Sequence, residues 1–261
     1  MKPILSLATF VVAAVFPLYA WQAAQPKPKS QKEVDALKKV QADAQAGNTD
    51  QEITDINYVL ENFADTEYKD MLLSMAMEAA ERKNDYGQIV AYGQQVVQNN
   101  PNDTMARITL AEAIAQHSKD TDLDKDKSVK QIQDYANKAL ELLKTQNDPP
   151  TGIPADKWPD LKKQLNSQAY DALGQAAELD KKYPEAITNF KTALDSQPTN
   201  SVAMVRLAKA YNENKQYDDA IATADKALAI ADAPPAVKQF AQQQKDNATK
   251  LKGATATAPP K

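Results

Sequence analysis

The densest run of side chains able to do chemistry is Asp120-Thr121-Asp122-Leu123-Asp124-Lys125-Asp126-Lys127, with carboxylates at alternating positions. Calcium loops take oxygen ligands at their first, third and fifth positions, and Asp120, Asp122 and Asp124 supply that spacing. The sixth position, where such loops turn on glycine, is Lys125, and the twelfth, where they use a glutamate, is Gln131. Lysines close by already neutralise the carboxylates, and Ser128 with Gln131 reads as a capping box that opens the following helix. His117 is the only histidine, which rules out a site of paired imidazoles; near a helix end it reads as a solvated or dipole-facing residue. There is no cysteine, hence no disulfide, zinc–thiolate site, redox motif or lipoprotein anchor. The glycines at 47, 87, 93, 152, 174 and 253 build no phosphate loop, dinucleotide fingerprint or nucleophile elbow. Paired carboxylates such as Glu78 and Glu81 lie on a charge-rich helix and read as a solvated face. No catalytic residue, metal or cofactor is assigned, and the chain is not expected to be an enzyme.

The elements that carry these residues are helical. Six glycines among 261 residues, against abundant Ala, Gln, Lys, Asp and Leu, favour helix. A net charge of −4 with the two signs interspersed lacks the basic stripe that nucleic acid requires. Between Ser167 and Pro234 one pattern is written twice. Leu173 returns as Leu207, Gly174 as Ala208, Ala186 as Ala220 and Ala193 as Ala227, each at a shift of 34 residues. A period of that length marks an array of helical hairpins. Small residues at Gly174/Ala208 and Ala186/Ala220 let two antiparallel helices approach, while Tyr170, Leu173, Phe190 and Leu194 fill the space between them. A single hairpin cannot bury its apolar face alone, so neighbours are required on both sides.

The series Tyr170, Leu173, Gly174, Ala186, Phe190, Ala193, Pro198 resembles the tetratricopeptide repeat (TPR) consensus where that family carries W, L, G, A, F, A and P. The next unit keeps Leu207, Ala208, Tyr211, Ala220 and Ala227, with Met204 and Ala224 in place of aromatics. The phrase Phe63-Ala64-Asp65-Thr66-Glu67-Tyr68, followed by Leu72, Leu73, Ala76 and Ala80, resembles repeats of bacterial envelope TPR proteins such as the Tol–Pal coordinator and β-barrel-assembly families. The resemblance implies an all-α fold: a TPR-like solenoid of antiparallel helix hairpins with a right-handed superhelical curl and a C-terminal capping helix.

Along the chain, Ser30-Gln31-Lys32-Glu33 and Thr49-Asp50-Gln51-Glu52 are capping boxes that open the two helices of a degenerate first unit, about 36–69, and Gly47 stops the first. Units follow at 70–103 and 104–146, with Tyr86 at the turn position that Tyr183 and Tyr217 occupy later. The second of these holds an insertion, 119–127, in its inter-helix turn. A proline-rich connection, 147–158, leads to units 167–200 and 201–234; the helix ahead of Ser167 is expected to begin near Asp156 and to carry Trp158, Leu161 and Leu165. A cap helix, 235–251, closes the solenoid that spans 31–252, and 253–261 reads as a disordered tail. At the other end, Lys2 and the free amine precede an uncharged run from Ile4 to Ala20 and then a polar linker, 21–30. That pattern is a signal peptide cleaved after Ala20, or an N-terminal anchor if it is retained. The chain is therefore expected to be exported, to the periplasm or cell envelope.

In TPR proteins the first helix of each unit lines the concave face, and its second, fifth, ninth and twelfth positions meet the ligand. Carried onto this chain, the resemblance assigns Met71, Ser74, Glu78 and Glu81; Met105, Ile108, Glu112 and Ala115; Gln168, Asp171, Gln175 and Glu178; and Val202, Val205, Lys209 and Asn212. An apolar floor with carboxylates suits an amphipathic or basic peptide. The family's chaperone-tail subset clamps a C-terminal carboxylate with Lys, Asn and Arg; only Arg206 and Lys209 offer basic groups here, a poor match to that mode. The expected role is a non-catalytic scaffold or adaptor in the bacterial envelope that binds a protein or peptide partner in its groove. The alternative is a membrane-tethered structural subunit of an envelope assembly complex, with membrane contact only through an uncleaved N-terminal segment.

Overall fold

The computed structural model describes residues 26–256 apart from Thr151, so the expected signal or anchor at 1–20 and the tail residues 257–261 lie outside the described residues. Among the described residues there are eleven α-helices and no strand, and no helix is long and apolar enough to cross a membrane. The helices form hairpins in chain order: α1 (Gln31–Ala46) with α2 (Thr49–Asn62), α3 (Lys69–Arg82) with α4 (Tyr86–Asn99), and α5 (Thr104–His117) with α6 (Lys125–Thr145). They continue with α7 (Trp158–Leu179) and α8 (Tyr183–Ser196), α9 (Ser201–Glu213) and α10 (Tyr217–Ala229), and a closing helix α11 (Pro235–Ala256). Each helix packs on the next, and α11 covers both α9 and α10, so the architecture is an all-α solenoid with a C-terminal cap.

Local chemistry sets these boundaries. Ser30 accepts the Glu33 amide at 3.1 Å, and the Glu33 carboxylate accepts the Lys29 amide at 2.6 Å and the Thr66 hydroxyl at 2.7 Å, fastening α1 to the loop before α3. Asp85, Asp103 and Asn200 cap α4, α5 and α9 by accepting the amides of Gln88, Ala106 and Ala203. Four first helices end alike. Gly47, Asn84, Lys181 and Lys215 all adopt the left-handed conformation, at φ of 71°, 53°, 58° and 62°. In each case the next amide reaches back to the fifth carbonyl before it: Asn48 to Asp43, Asp85 to Ala80, Lys182 to Ala177 and Gln216 to Tyr211. This is the Schellman stop, which satisfies terminal carbonyls while reversing the chain. Helix α5 instead ends on an extended Ser118, and there the turn is longer.

Several boundaries differ from the sequence reading. Thr49 does not cap α2; Asn48 precedes the helix but its side chain donates back to Asp43 and caps no amide of α2, and Glu52, 2% exposed, turns inward to Arg82 on α3 instead of capping. The first hairpin spans 31–62 rather than 36–69, because the Ser30 cap starts it early and the loop 63–68 buries Tyr68. The insertion ends at Asp124, not Lys127: Asp122 accepts the Lys119 amide at 2.7 Å, turning the chain sharply, and Lys125 pairs with Asp180 at 3.1 Å, fixing the start of α6. Ser128 therefore lies buried inside α6 and caps nothing. Helix α7 starts at Trp158, two residues after Asp156. Helix α11 runs past residue 251 to Ala256, since Lys252 pairs with Asp218 on α10 and Ala254 favours helix.

The core runs as a file of apolar clusters between successive hairpins. One gathers Leu37, Val40, Ile56, Leu72, Ala76 and Val96; the next gathers Ile108, Ile114, Ile132, Leu143, Trp158 and Ala172. A third joins Ala186, Phe190, Leu207, Ala220 and Ala248, and a fourth joins Val205, Ala227, Val237 and Ala241. Close approach is strictest at Gly174, where a Cβ would lie 2.4 Å from the Phe190 ring. At Gly93 a Cβ would lie 2.8 Å from Leu110.

Candidate protein-binding face

The first helices form the inner row of the stack. Helix α5 packs directly on α7, and α9 on α11, whereas no two of the second helices α2, α4, α6, α8 and α10 share such an interface among the described residues. In a curved stack the crowded side is the inside. Side chains also bridge the inner row: Gln168 on α7 donates to Glu112 on α5 at 3.4 Å, Lys209 on α9 to Glu178 on α7 at 3.2 Å, and Asn212 on α9 to Gln244 on α11 at 3.0 Å. On the opposite side α6 and α8 leave a cavity of about 310 Å³ over α7, lined by Gln133, Asn137, Tyr170, Leu173, Glu185 and Asn189.

The positions expected to meet a ligand divide by burial. Met71, Ser74, Glu78 and Glu81 on α3, Met105 and Glu112 on α5, and Val202 and Lys209 on α9 are partly exposed. Ile108, Asp171, Gln175, Val205 and Asn212 are buried, as is Ala115. Val205 packs with Ala227, Val237 and Ala241 beneath the cap helix, and Ile108 lies in the core under α6 and α7, so both belong to the packing. Asp171 and Gln175 hydrogen-bond to each other at 3.0 Å, and the Arg206 guanidinium also donates to Asp171. Asn212 ties the row to the cap helix.

Charge is distributed unevenly along this face. Toward the C-terminal end the carboxylates are met by cations of the same chain, Asp171 by Arg206 and Glu178 by Lys209. Burial raises both carboxyls above their ordinary values, and the nearby Arg206 and Lys209 charges oppose that rise. Because Arg206 and Lys209 are thus neutralised, the clamp for a C-terminal carboxylate is not assembled here. Toward the N-terminal end, burial and then the Glu81 charge push Glu78 up to about 7. Burial pushes Glu81 up to about 7 despite a hydrogen bond with Thr109 and the Arg82 charge. Burial and the charge of Asp171 push Glu112 up to about 8. Thr109 was not legible as a groove residue; its only signal is its place one turn from Met105 on the same helix.

The acidic run 120–126 is engaged elsewhere. Asp120 pairs with Lys181 at 3.3 Å, Asp126 with Lys125 at 3.2 Å, and Asp122 caps its own turn. Together with Lys125–Asp180, these bonds pin the inserted loop to the turn between α7 and α8. His117 stacks on Tyr86, with ring centroids 3.8 Å apart and planes within 9°.

Comparison with known proteins agrees with this geometry. Residues 177–243 match the tetratricopeptide repeat family model. No curated protein sequence matches the chain. Among solved structures, TTC0263, a thermophilic TPR protein in Thermus thermophilus, is similar at 15% identity and a TM-score of 0.53. That match covers 81% of this chain and 98% of TTC0263. YrrB, a TPR protein with an unusual peptide-binding site, is similar at 15% identity and a TM-score of 0.53, over 82% of this chain and 94% of its own. The 34-residue recurrence, the repeat model over 177–243 and the likeness to solved TPR structures show tetratricopeptide repeats at 177–243 set in a solenoid with the TPR fold.

Proposed function

We propose that this chain is a non-catalytic scaffold or adaptor of the bacterial cell envelope that holds a protein or peptide partner along its inner helix row. The observation that carries the reading is the partly exposed strip on α3, α5 and α9, where Met71, Met105 and Val202 offer apolar contact beside Glu78, Glu81, Glu112 and Lys209. An apolar strip edged by charged groups suits a segment of another chain, and methionine adapts its shape to what it meets. YrrB, of similar fold, is a peptide binder by its description, which supports the same use of the scaffold here. Export rests on the uncharged run Ile4–Ala20 behind Lys2. Retention of that run as an anchor is the second reading, that of a tethered envelope subunit.

Two measurements test the proposal. Photo-crosslinking residues placed at Met71, Met105 and Val202 in native cells are expected to trap one discrete protein, while the same residue at the outward-facing Lys138 traps none. Equal trapping on both faces, or none on the inner face, refutes it. N-terminal sequencing of the mature protein separates the two locations: a chain that begins near Trp21 eliminates the tether.

A further inference from the structure

The inner row contains two kinds of carboxylate. Asp171 and Glu178 each have a cation of this chain within ion-pair distance, from Arg206 and Lys209, as does Glu52 on the neighbouring α2, from Arg82. Glu78, Glu81 and Glu112 have none within that distance among the described residues, although all three are partly buried. Their hydrogen-bond partners are neutral, Thr109 for Glu81 and Gln168 for Glu112, while the Arg82 charge acts on Glu78 and Glu81, and the Arg206 charge on Glu112, from beyond ion-pair distance. A second observation points the same way. Asp171 is 3% exposed and adjoins Glu112, and its Oδ1 has no hydrogen-bond partner while Oδ2 carries both Gln175 and Arg206. Buried acceptors without donors are costly, and the cost vanishes when a donor arrives.

We propose that the α3–α5 stretch of the inner row is a receptor for lysine or arginine side chains of a partner's segment, with Glu78, Glu81 and Glu112 taking the cationic heads and Met71 and Met105 bedding an apolar residue beside them. This rests on the inner-row reading above and adds the chemistry of the occupant. Met71, Ser74, Glu78 and Glu81 follow one another at helical spacing on a single stripe of α3, about 15 Å long. Met105 and Glu112 repeat that order on α5. A segment laid across the two helices thus meets apolar surface near their first turns and carboxylates near their last. The raised carboxyls fit the same account: near neutrality they are only partly ionised in the free protein, and an arriving ammonium or guanidinium restores the charge it needs. The C-terminal half, whose charges are already matched, contributes shape and not charge selection.

The test is selection of a displayed random dodecapeptide library on the purified full-length protein, followed by fluorescence anisotropy with the best labelled peptide. Enrichment of Lys and Arg over the unselected library is expected, with binding that weakens as salt is added. At pH 8 the Glu78→Gln/Glu81→Gln/Glu112→Gln variant is expected to bind at least about tenfold more weakly, and Glu112→Gln alone to bind measurably more weakly, with circular dichroism unchanged in both. Glu141→Gln, on the second helix α6, should alter binding less than twofold. Peptides with no basic enrichment, no selected peptide at all, or equal binding by the triple variant would overturn the proposal. If inner-row crosslinks persist while charge is irrelevant, only this inference falls; if the inner row traps nothing, the scaffold reading falls with it.

Discussion

The ring of Phe190 on α8 fills the space where Gly174 on α7 lacks a side chain: a Cβ at 174 would stand 2.4 Å from Cε1 and 2.6 Å from Cδ1. Phe190 is fully buried, so its ring has nowhere to retreat. Gly174→Ala is therefore expected to destabilise the protein by about 1–3 kcal/mol, overriding alanine's better helix propensity. Denaturant unfolding checks this, and an unchanged midpoint would contradict it.

Arg206 stands 18% exposed beside an Asp171 carboxylate that is 4% exposed. Removing the guanidinium leaves a charge buried among apolar helices. Arg206→Ala should cost about 3–5 kcal/mol, and adding Asp171→Asn should recover part of that loss. A double-mutant cycle on unfolding free energy reads the coupling, and additive losses would mean that the pair does not interact.

Glu78, Glu81 and Glu112 have carboxyls raised from an ordinary value of 4.5 to about 7, 7 and 8. The folded protein therefore holds more protons than the unfolded chain between those limits, and its stability falls as pH rises through that window. Glu52, Arg82, Asp103, Thr109, Asp171 and Arg206 are the groups that face these carboxyls from the surrounding helices. The triple glutamine variant is expected to gain on the order of 1 kcal/mol per carboxylate at pH 8 relative to the parent, and little at pH 5. Melting curves of both proteins across that range decide it; parallel curves would refute it.

Lys215 adopts a left-handed backbone with its side chain in solvent, whereas Lys181 in the same conformation also pairs with Asp120. Lys215→Gly is expected to stabilise by about 0.5–1 kcal/mol, because glycine meets no steric penalty there. A lower melting temperature would show that the lysine side chain contributes more than its strain removes.

Met105 and Val205 are both expected ligand-facing positions, the second of one first helix and the fifth of another, yet one is partly exposed and the other fully buried. Met105→Asp should leave the far-ultraviolet spectrum and melting nearly unchanged, while Val205→Asp should unfold the C-terminal hairpin and cap. Equal effects would mean that the inner row is misassigned at one of the two.

Much of the fold was legible because repetition and small residues carry it. The spacing of Gly174 and Ala208, and of Ala186 and Ala220, reports helix contact directly, since bulk at those points is sterically excluded. Helix starts were read well where a side chain caps, as at Ser30, and poorly where a similar triplet serves another purpose, as with Glu52 and Ser128. The inner face was legible in outline only. Position numbers within a repeat locate the stripe, but they do not say how deeply a neighbouring helix covers it. The direct packing of α5 on α7 and of α11 on α9 buries Asp171, Gln175, Val205 and Asn212. Nor does spacing reveal which carboxylates acquire cations, because Arg206 and Asp171 are 35 residues apart and meet only in the folded stack.

The shared left-handed stop at Gly47, Asn84, Lys181 and Lys215 bears on how such a chain grows. Since the bend is made by local backbone bonds and not by distant partners, a duplicated copy of residues 201–234 spliced in ahead of Pro235 would leave its donor hairpin in the orientation its sibling already has. Gene-level expansion or trimming in whole hairpins would then change the length of the protein while preserving both of its ends.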